Sequence, residues 1–462
     1  MHSVSHIILK TPDFDGDFVQ ILKKLKNPLI YGTLLLTASG ILGKIIGFFY
    51  RIFLSRTIGA EGLGIYQLIF PISTIFFAIT VSGLSTALSK FIAEYQIRDP
   101  FSPKRFLRFA LLASGALSLG SMLILFRFST FIANTILLEP RCEPLIPILA
   151  LSIPLASVHS CIHGYYYGRK KAAIPAVSSF IEQFVRVIFV FVIYQIRLEQ
   201  GKPIDASIAV WGLVFGEAGA FLFCITSLML SKKEEAASTG FRVSSPGFKL
   251  LTYSVPLSMN RLALTLFASF ESILIPSRLC LFGYSQSDAL SLYGVLTGMA
   301  LSVVTLPTVF TNSVSVMILP AISEADSQND SGKIRKTISQ TIFTCLLLGS
   351  LCTGGLLFTG KWIGSFLFGN SLAGKFICML SFICPFLFLS SILSSIMHGL
   401  GMPGYPFLLN LLGILVRICF VFFGIPLHGL KAYLIGMLLS QVLTSMLSVY
   451  ILWKKRLKQN AF

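Results

Sequence analysis

The chain has 462 residues, of which 54% are hydrophobic, 13% aromatic and only 12% charged, with a mean hydropathy of +0.80. That balance excludes an ordinary soluble domain and points to an all-α polytopic membrane protein. A net charge of +18 would suggest nucleic acid in a soluble chain, but the basic residues fall between apolar runs, so the bilayer accounts for them and no nucleic-acid partner is expected.

Residues 1–27 mix charges such as Asp13, Asp15 and Lys23 with short apolar pieces and lack the apolar core of a signal peptide. They read as a cytoplasmic N-terminal segment ahead of a retained first helix. Apolar runs of spanning length follow at about 29–54, 63–92, 106–128, 145–167, 173–197, 205–231, 247–277, 289–322, 336–359, 375–400, 405–427 and 430–453, twelve in all. The pieces Phe131 to Leu138 and Trp362 to Phe368 are too short to span and are expected as interfacial turns. The nine cysteines are scattered without a CxxC pair and read as small core residues, with no disulfide or zinc framework.

Segment 1 carries Lys44 near its middle, Arg51 about two turns on and Arg56 at its end. A cation at mid-bilayer costs roughly 2.5–3.5 kcal/mol on insertion scales. Lys44 and Arg51 therefore either snorkel to a loop or an interface, or line a wet cavity that holds an anion. In segment 4, His159 and His163 share a face around Cys161, and with no acid beside them they read as core histidines rather than a metal site. Glu182 and Arg186 in segment 5 stand four apart with the acid first, the favourable order for a structural ion pair within one helix. Segment 7 holds Arg261 and Glu271, which at about 1.5 Å of rise per residue lie too far apart to pair. Glu271 is expected either as an ion-coupling carboxylate or as a helix-end acid held by Arg278 or a hydroxyl. Arg417 in segment 11 has no acid one turn before it and needs a phosphate, a lipid head group or a carboxylate from another helix. Glu217 in segment 6 is offered as such a partner and as a second candidate for ion coupling.

Lysines and arginines are about twice as dense on the side of the N-terminus, which with an even number of spans places both termini in the cytoplasm. An internal repeat organises the rest. Gly168, Pro175, Val185, Arg186, Phe189, Val190 and Phe191 recur without a gap as Gly399, Pro406, Val416, Arg417, Phe420, Val421 and Phe422. Glu94 followed by Ser102-Pro103-Lys104 likewise returns as Glu324 followed by Ser331-Gly332-Lys333. These four charged residues, Glu94, Lys104, Glu324 and Lys333, are expected either as a symmetrical salt-bridged gate or as ordinary interfacial charge. Six spans per repeat make the halves parallel, as in two-lobed transporters with a site between the lobes. The expected divisions are a segment 1–27, an N-lobe 28–231, a linker 232–246, a C-lobe 247–453 and a basic tail 454–462.

The runs SGILGKIIGFFYRIFLSRTIGAEGLGIYQ, SGLSTALSKFIAEY and VPLSMNRLALTLFASFESILIPSRL resemble stage V sporulation protein B-like members of the polysaccharide transport family. That family sits in the multidrug, oligosaccharidyl-lipid and polysaccharide exporter superfamily, together with lipid II flippases. The resemblance implies flipping or export of an undecaprenyl-diphosphate-linked saccharide across a bacterial plasma membrane by a monomer that contacts membrane lipids, with Na+ or H+ as a coupling ion. It gives Lys44 a substrate-contacting role and sets Arg51 one residue off the family's second cation. Many relatives have fourteen helices and use the last two for the lipid tail, so twelve leave the tail without that groove.

A diphosphate leaving the interface needs cations in a wet cavity, and Lys44, Arg51, Arg261 and Arg417 are the candidates. A cation-coupled multidrug extruder of the same superfamily is the alternative, although segment 1 offers Lys44 and no acid. An intramembrane enzyme of lipid-linked saccharides would want paired carboxylates or a nucleophile on a sizeable loop, and the outer loops are short. No enzyme activity, cofactor or metal is expected.

Overall fold

A bilayer offers no water to exposed backbone groups, so apolar runs of this length become helices, which satisfy each N–H and C=O within the segment. The computed structural model describes residues 28–95, 102–231, 246–328 and 330–459, and among them there is no strand. Twelve stretches are long and apolar enough to span. In chain order the helices are α1 (Pro28–Thr57), α2 (Gly59–Tyr95), α3 (Ser102–Arg127), α4 (Leu145–Gly168), α5 (Ala173–Glu199), α6 (Ser207–Leu230), α7 (Pro246–Phe282), α8 (Gln286–Val304), α9 (Thr308–Ser327), α10 (Ser331–Leu367), α11 (Ser371–Gly399), α12 (Gly404–His428) and α13 (Leu430–Gln459). The expected segment 1–27 and all but the last residue of the linker 232–246 lie outside the described residues, while the tail from Lys454 simply continues α13.

Segment 8 departs from the expectation of one helix over 289–322. It breaks at residues 305–307, where Thr305 N–H closes α8 on Leu301 O at 3.0 Å and α9 starts afresh after Pro307. Pro307 has no N–H to donate and pushes Leu306 away from helical geometry, so the chain ends one helix and begins another there. Trp362 to Phe368 is not a separate turn either, since a π turn at Ile363–Leu367 carries it on as the end of α10.

The two halves form parallel six-span repeats, and the packing shows it at side-chain level. A Cβ on Gly64 would lie 2.1 Å from Leu290 O, and one on Gly294 would lie 2.1 Å from Ala60 O. Each residue of this reciprocal contact stands 230 positions from its counterpart, so α2 and α8 cross on the repeat axis through two glycines that let the backbones touch. Within the lobes, Gly168 of α4 sits on Ile92 and Gly399 of α11 on Ile322 in the same way.

The crossing lies near the face opposite the N-terminus, and other contacts tie the lobes there. Gln286 Nε2 donates to Leu138 O at 2.8 Å and to Glu139 Oε2 at 2.9 Å. Arg56 donates through Nε to Leu367 O at 2.8 Å and through Nη2 to Phe366 O. Arg141 holds this face of the N-lobe together, 2.7 Å from both Glu139 and Glu61. Its hydrogen bonds to Glu139 and then Glu61 make the guanidinium bind its proton more firmly than usual. One continuous apolar core, from Leu63 and Tyr66 to Leu290 and Tyr293, runs through the seal.

Candidate functional site

Between the lobes α2 separates two chambers that share Gln67 and Phe70. The C-lobe chamber, about 640 Å³, is lined by Arg261 of α7 and Arg417 of α12 with Thr74, Tyr293 and Asn410. The N-lobe chamber, about 340 Å³, is lined by Lys44 and Arg51 of α1 and Arg186 of α5, with Tyr50 and Tyr66. Five cations thus face the cavity, and no carboxylate stands among its described lining residues.

Lys44 answers the cost of a mid-membrane cation by meeting a partner: its Nζ donates to Thr308 Oγ1 at 2.8 Å, at the first turn of α9 just past the break. It does not snorkel to a loop. Gly40, Gly43 and Gly47 of α1 have no atom within 4 Å of where a Cβ would sit, so this glycine stripe leaves space instead of packing. On that side a third chamber of about 260 Å³ lies between α1 and α9, lined by Leu36, Ile41, Val309 and Asn312 with Lys44 at its wall. Lys44 therefore stands between the interlobe cavity and a gap at the lobe edge. Arg51 also reaches the N-lobe chamber and makes no ion pair among the described residues. Arg261 lines the C-lobe chamber on the same terms.

Arg417 finds its acid on α7. Its Nε lies 2.7 Å from Glu271 Oε1 and its Nη2 3.0 Å from Glu271 Oε2, while Tyr433 Oη of α13 donates to Oε1 at 2.8 Å. Two expectations are corrected here. Glu217 is not the partner of Arg417, and Glu271 is not a free carboxylate awaiting an ion, because a bidentate guanidinium and a phenol occupy both its oxygens. Arg278, offered as its partner, stacks over Phe422 at 3.9 Å instead.

Glu182 and Arg186 do pair within α5, as the i,i+4 spacing predicts. Arg186 of this pair also lines the N-lobe chamber. Glu217 of α6 lies 2.7 Å from His159 Nε2, so the reading of His159 as a histidine without a nearby carboxylate is overturned. The acid comes from 58 residues away, which no local spacing reveals. The salt-bridged gate is not formed: among the described residues no ion pair joins Glu94, Lys104, Glu324 or Lys333, and the Lys333 backbone N–H is spent on Asp330, which caps α10 at 2.8 Å. Sequence reasoning missed Arg186 as a cavity residue, Tyr433, and the Thr308 contact. Pro307 between two threonines in a long apolar run was the available signal for the last.

A family model for polysaccharide biosynthesis proteins matches residues 29–325. Stage V sporulation protein B of Bacillus subtilis (strain 168) is 29% identical over 433 residues, covering 91% of this chain and 83% of its own length. The lipid II flippase MurJ of the same organism is 22% identical over 344 residues, 70% of this chain and 63% of that protein. Among solved structures, an inward-facing multidrug resistance MATE family transporter of the MOP superfamily aligns with a TM-score of 0.63 at 12% identity, covering 90% of this chain and 96% of that one.

Proposed function

Because the chain belongs to the polysaccharide biosynthesis protein family, we propose that it is a membrane transporter that flips a lipid-diphosphate-linked saccharide, a peptidoglycan or polysaccharide precursor, by alternating access between its two lobes. The observation that carries this reading is the interlobe cavity with Lys44, Arg51 and Arg186 on one wall, Arg261 and Arg417 on the other, and no carboxylate among the described lining residues. A diphosphate brings negative charge out of water, and cations in a confined wet site replace its hydration with charge-assisted hydrogen bonds. A cation-coupled drug extruder would place acids where these cations stand, and the described lining residues include no nucleophile–base pair for an enzyme.

The C-lobe and N-lobe chambers, about 640 and 340 Å³, fall within the roughly 300–1,000 Å³ of small-molecule sites. They suit a head group, and a polyprenyl tail has to remain in the bilayer. The gap between α1 and α9 beside Lys44 is the exit for the tail, which makes a groove from two further helices unnecessary. In this reading the protein is a monomer in a bacterial plasma membrane with both termini cytoplasmic, surrounded by and exchanging its substrate with membrane lipids, and the sealed face is the outer one. H+ is the coupling ion in this reading, in preference to Na+.

Direct binding tests the reading. Farnesyl diphosphate is expected to bind the reconstituted protein at least tenfold more tightly than farnesol, with Lys44→Ala and Arg261→Ala each losing about tenfold, or roughly 1.4 kcal/mol. Equal binding of the alcohol and the diphosphate, or preference for a lipophilic cation, would exclude it.

A further inference from the structure

Apart from the cationic cavity, a compact group of titratable side chains lies inside the N-lobe. His159 of α4, Glu182 of α5 and Glu217 of α6 bring one ligand atom each to within 4.8 Å of one another. His159 is 7% exposed, its Nε2 is 2.7 Å from Glu217 Oε2, and Glu182 accepts a hydrogen bond from Arg186. Around this cluster the described residues add His163 one turn along α4, and Tyr50 of α1 and Tyr66 of α2, which face Arg186. The charges do not balance. Within the cluster two carboxylates share one permanent cation, with Lys44 and Arg51 on the wall of the chamber that Arg186 lines, in a place where uncompensated charge is costly.

A metal ion would supply charge but fits poorly. Two ligands on one zinc at about 2.0–2.1 Å stand roughly 3.3 Å apart in a tetrahedral site, whereas His159 and Glu217 are already at the 2.7 Å of a hydrogen bond. A divalent ion would also overshoot the deficit by one, and an imidazole is a poor ligand for a hard monovalent cation. A proton fits without rearrangement. Neutral His159 spends its single N–H on Glu217 and leaves Nδ1 bare. His159 Nδ1 and His163 Nε2 are in fact both buried without a hydrogen-bond partner. Their ring centroids lie 5.0 Å apart, a separation at which one nitrogen of each ring can reach hydrogen-bond distance.

We propose that His159 is a proton-binding site of the N-lobe: one added proton forms an imidazolium bridged to Glu217, balances the buried charge and gives Nδ1 a hydrogen to share with His163. The proton also speaks to the cavity. With His159 neutral, Glu217 is a second acid drawing on Arg186. With His159 charged, Arg186 answers to Glu182 alone and keeps more of its field for an anion beside Lys44 and Arg51. This last link rests on the anionic-substrate reading above, and the proton site itself does not.

Solid-state NMR of 15N-histidine in the full chain, reconstituted without substrate, reads the site directly. Across about pH 5–8, where imidazoles ordinarily change charge, one buried ring is expected to pass from neutral to doubly protonated. That signal should vanish in His159→Asn, move to lower pH in Glu217→Gln and move less far in His163→Gln. A His159 ring that stays neutral throughout, an unchanged titration in Glu217→Gln, or displacement of the proton by zinc or sodium chloride at fixed pH and ionic strength would overturn the proposal. Farnesyl diphosphate should then bind several-fold more tightly to the protein at the acid end, with that dependence reduced in Glu217→Gln. No binding at any pH with the titration intact would support the proton site and reject the anionic-substrate reading; binding whose pH dependence is the same in Glu217→Gln would overturn the link through Arg186.

Discussion

The same arginine recurs in both lobes and is paired differently in each. Arg186 and Arg417 stand 231 residues apart on equivalent helices, yet Arg186 takes its acid from its own helix, while Arg417 has Gly413 one turn back and reaches across to Glu271, steadied by Tyr433. Next to them His159 meets Glu217, and 231 and 224 residues later Ser390 donates to Gln441 Oε1 at 3.3 Å. Duplication has kept the contact between the helices of His159 and Glu217, moved the acid of the repeated arginine to another helix, and let the electrostatics diverge. The C-lobe cluster is neutral, one acid to one arginine, whereas the N-lobe cluster holds a spare acid and a titratable ring. A balanced buried pair is a fixed fastener, and an unbalanced one responds to a proton.

That contrast breaks most sharply under single deletions. Glu271→Gln leaves Arg417 buried without its anion and is expected to cost about 3–5 kcal/mol, the usual penalty for breaking a buried pair, read as lost thermal stability in detergent. Glu182→Gln should cost less than half as much, because Glu217 remains to answer Arg186. Equal losses in the two lobes would remove the distinction. The glycine crossing sharpens the symmetry instead: Gly64→Val and Gly294→Val drive a side chain into the partner's backbone and should destabilise the sealed face by similar amounts, about 1–3 kcal/mol each, seen as lost disulfide trapping between cysteines placed on α2 and α8. A large effect at one glycine alone would contradict a reciprocal contact. The smallest change is at the seal's edge, where Gln286→Ala forfeits its cross-lobe hydrogen bonds and should cost about 1 kcal/mol, raising alkylation of a cysteine placed at residue 67. Unaltered alkylation would show that this contact does not hold the face shut.

Much of this was legible in the sequence because membrane helices and parallel repeats write themselves in hydropathy and spacing. Twelve spans, the repeat offset and the Glu182–Arg186 pair all follow from local periodicity. So does the cationic character of segment 1, since a lysine in an apolar run has few places to go. What stayed hidden is set by partners distant in the chain. Glu271 pairs with Arg417 across 146 residues and Lys44 reaches Thr308 across 264, distances over which one sequence carries no register. The same blindness assigned Glu217 to Arg417 and left His159 without an acid. Glu94 and Glu324 repeat by common descent of the halves, and in a structure sealed at the opposite face they make no ion pair among the described residues.

The central claim is that the interlobe cations carry an anionic lipid head from one leaflet to the other. A leaflet-accessibility assay in proteoliposomes, using a polyprenyl-diphosphate saccharide, tests it with wild type beside Lys44→Ala and Arg261→Ala. The account predicts rapid equilibration by wild type and at least about a tenfold slower rate for each variant, equivalent to roughly 1.4 kcal/mol. Wild-type rates in both variants would contradict it.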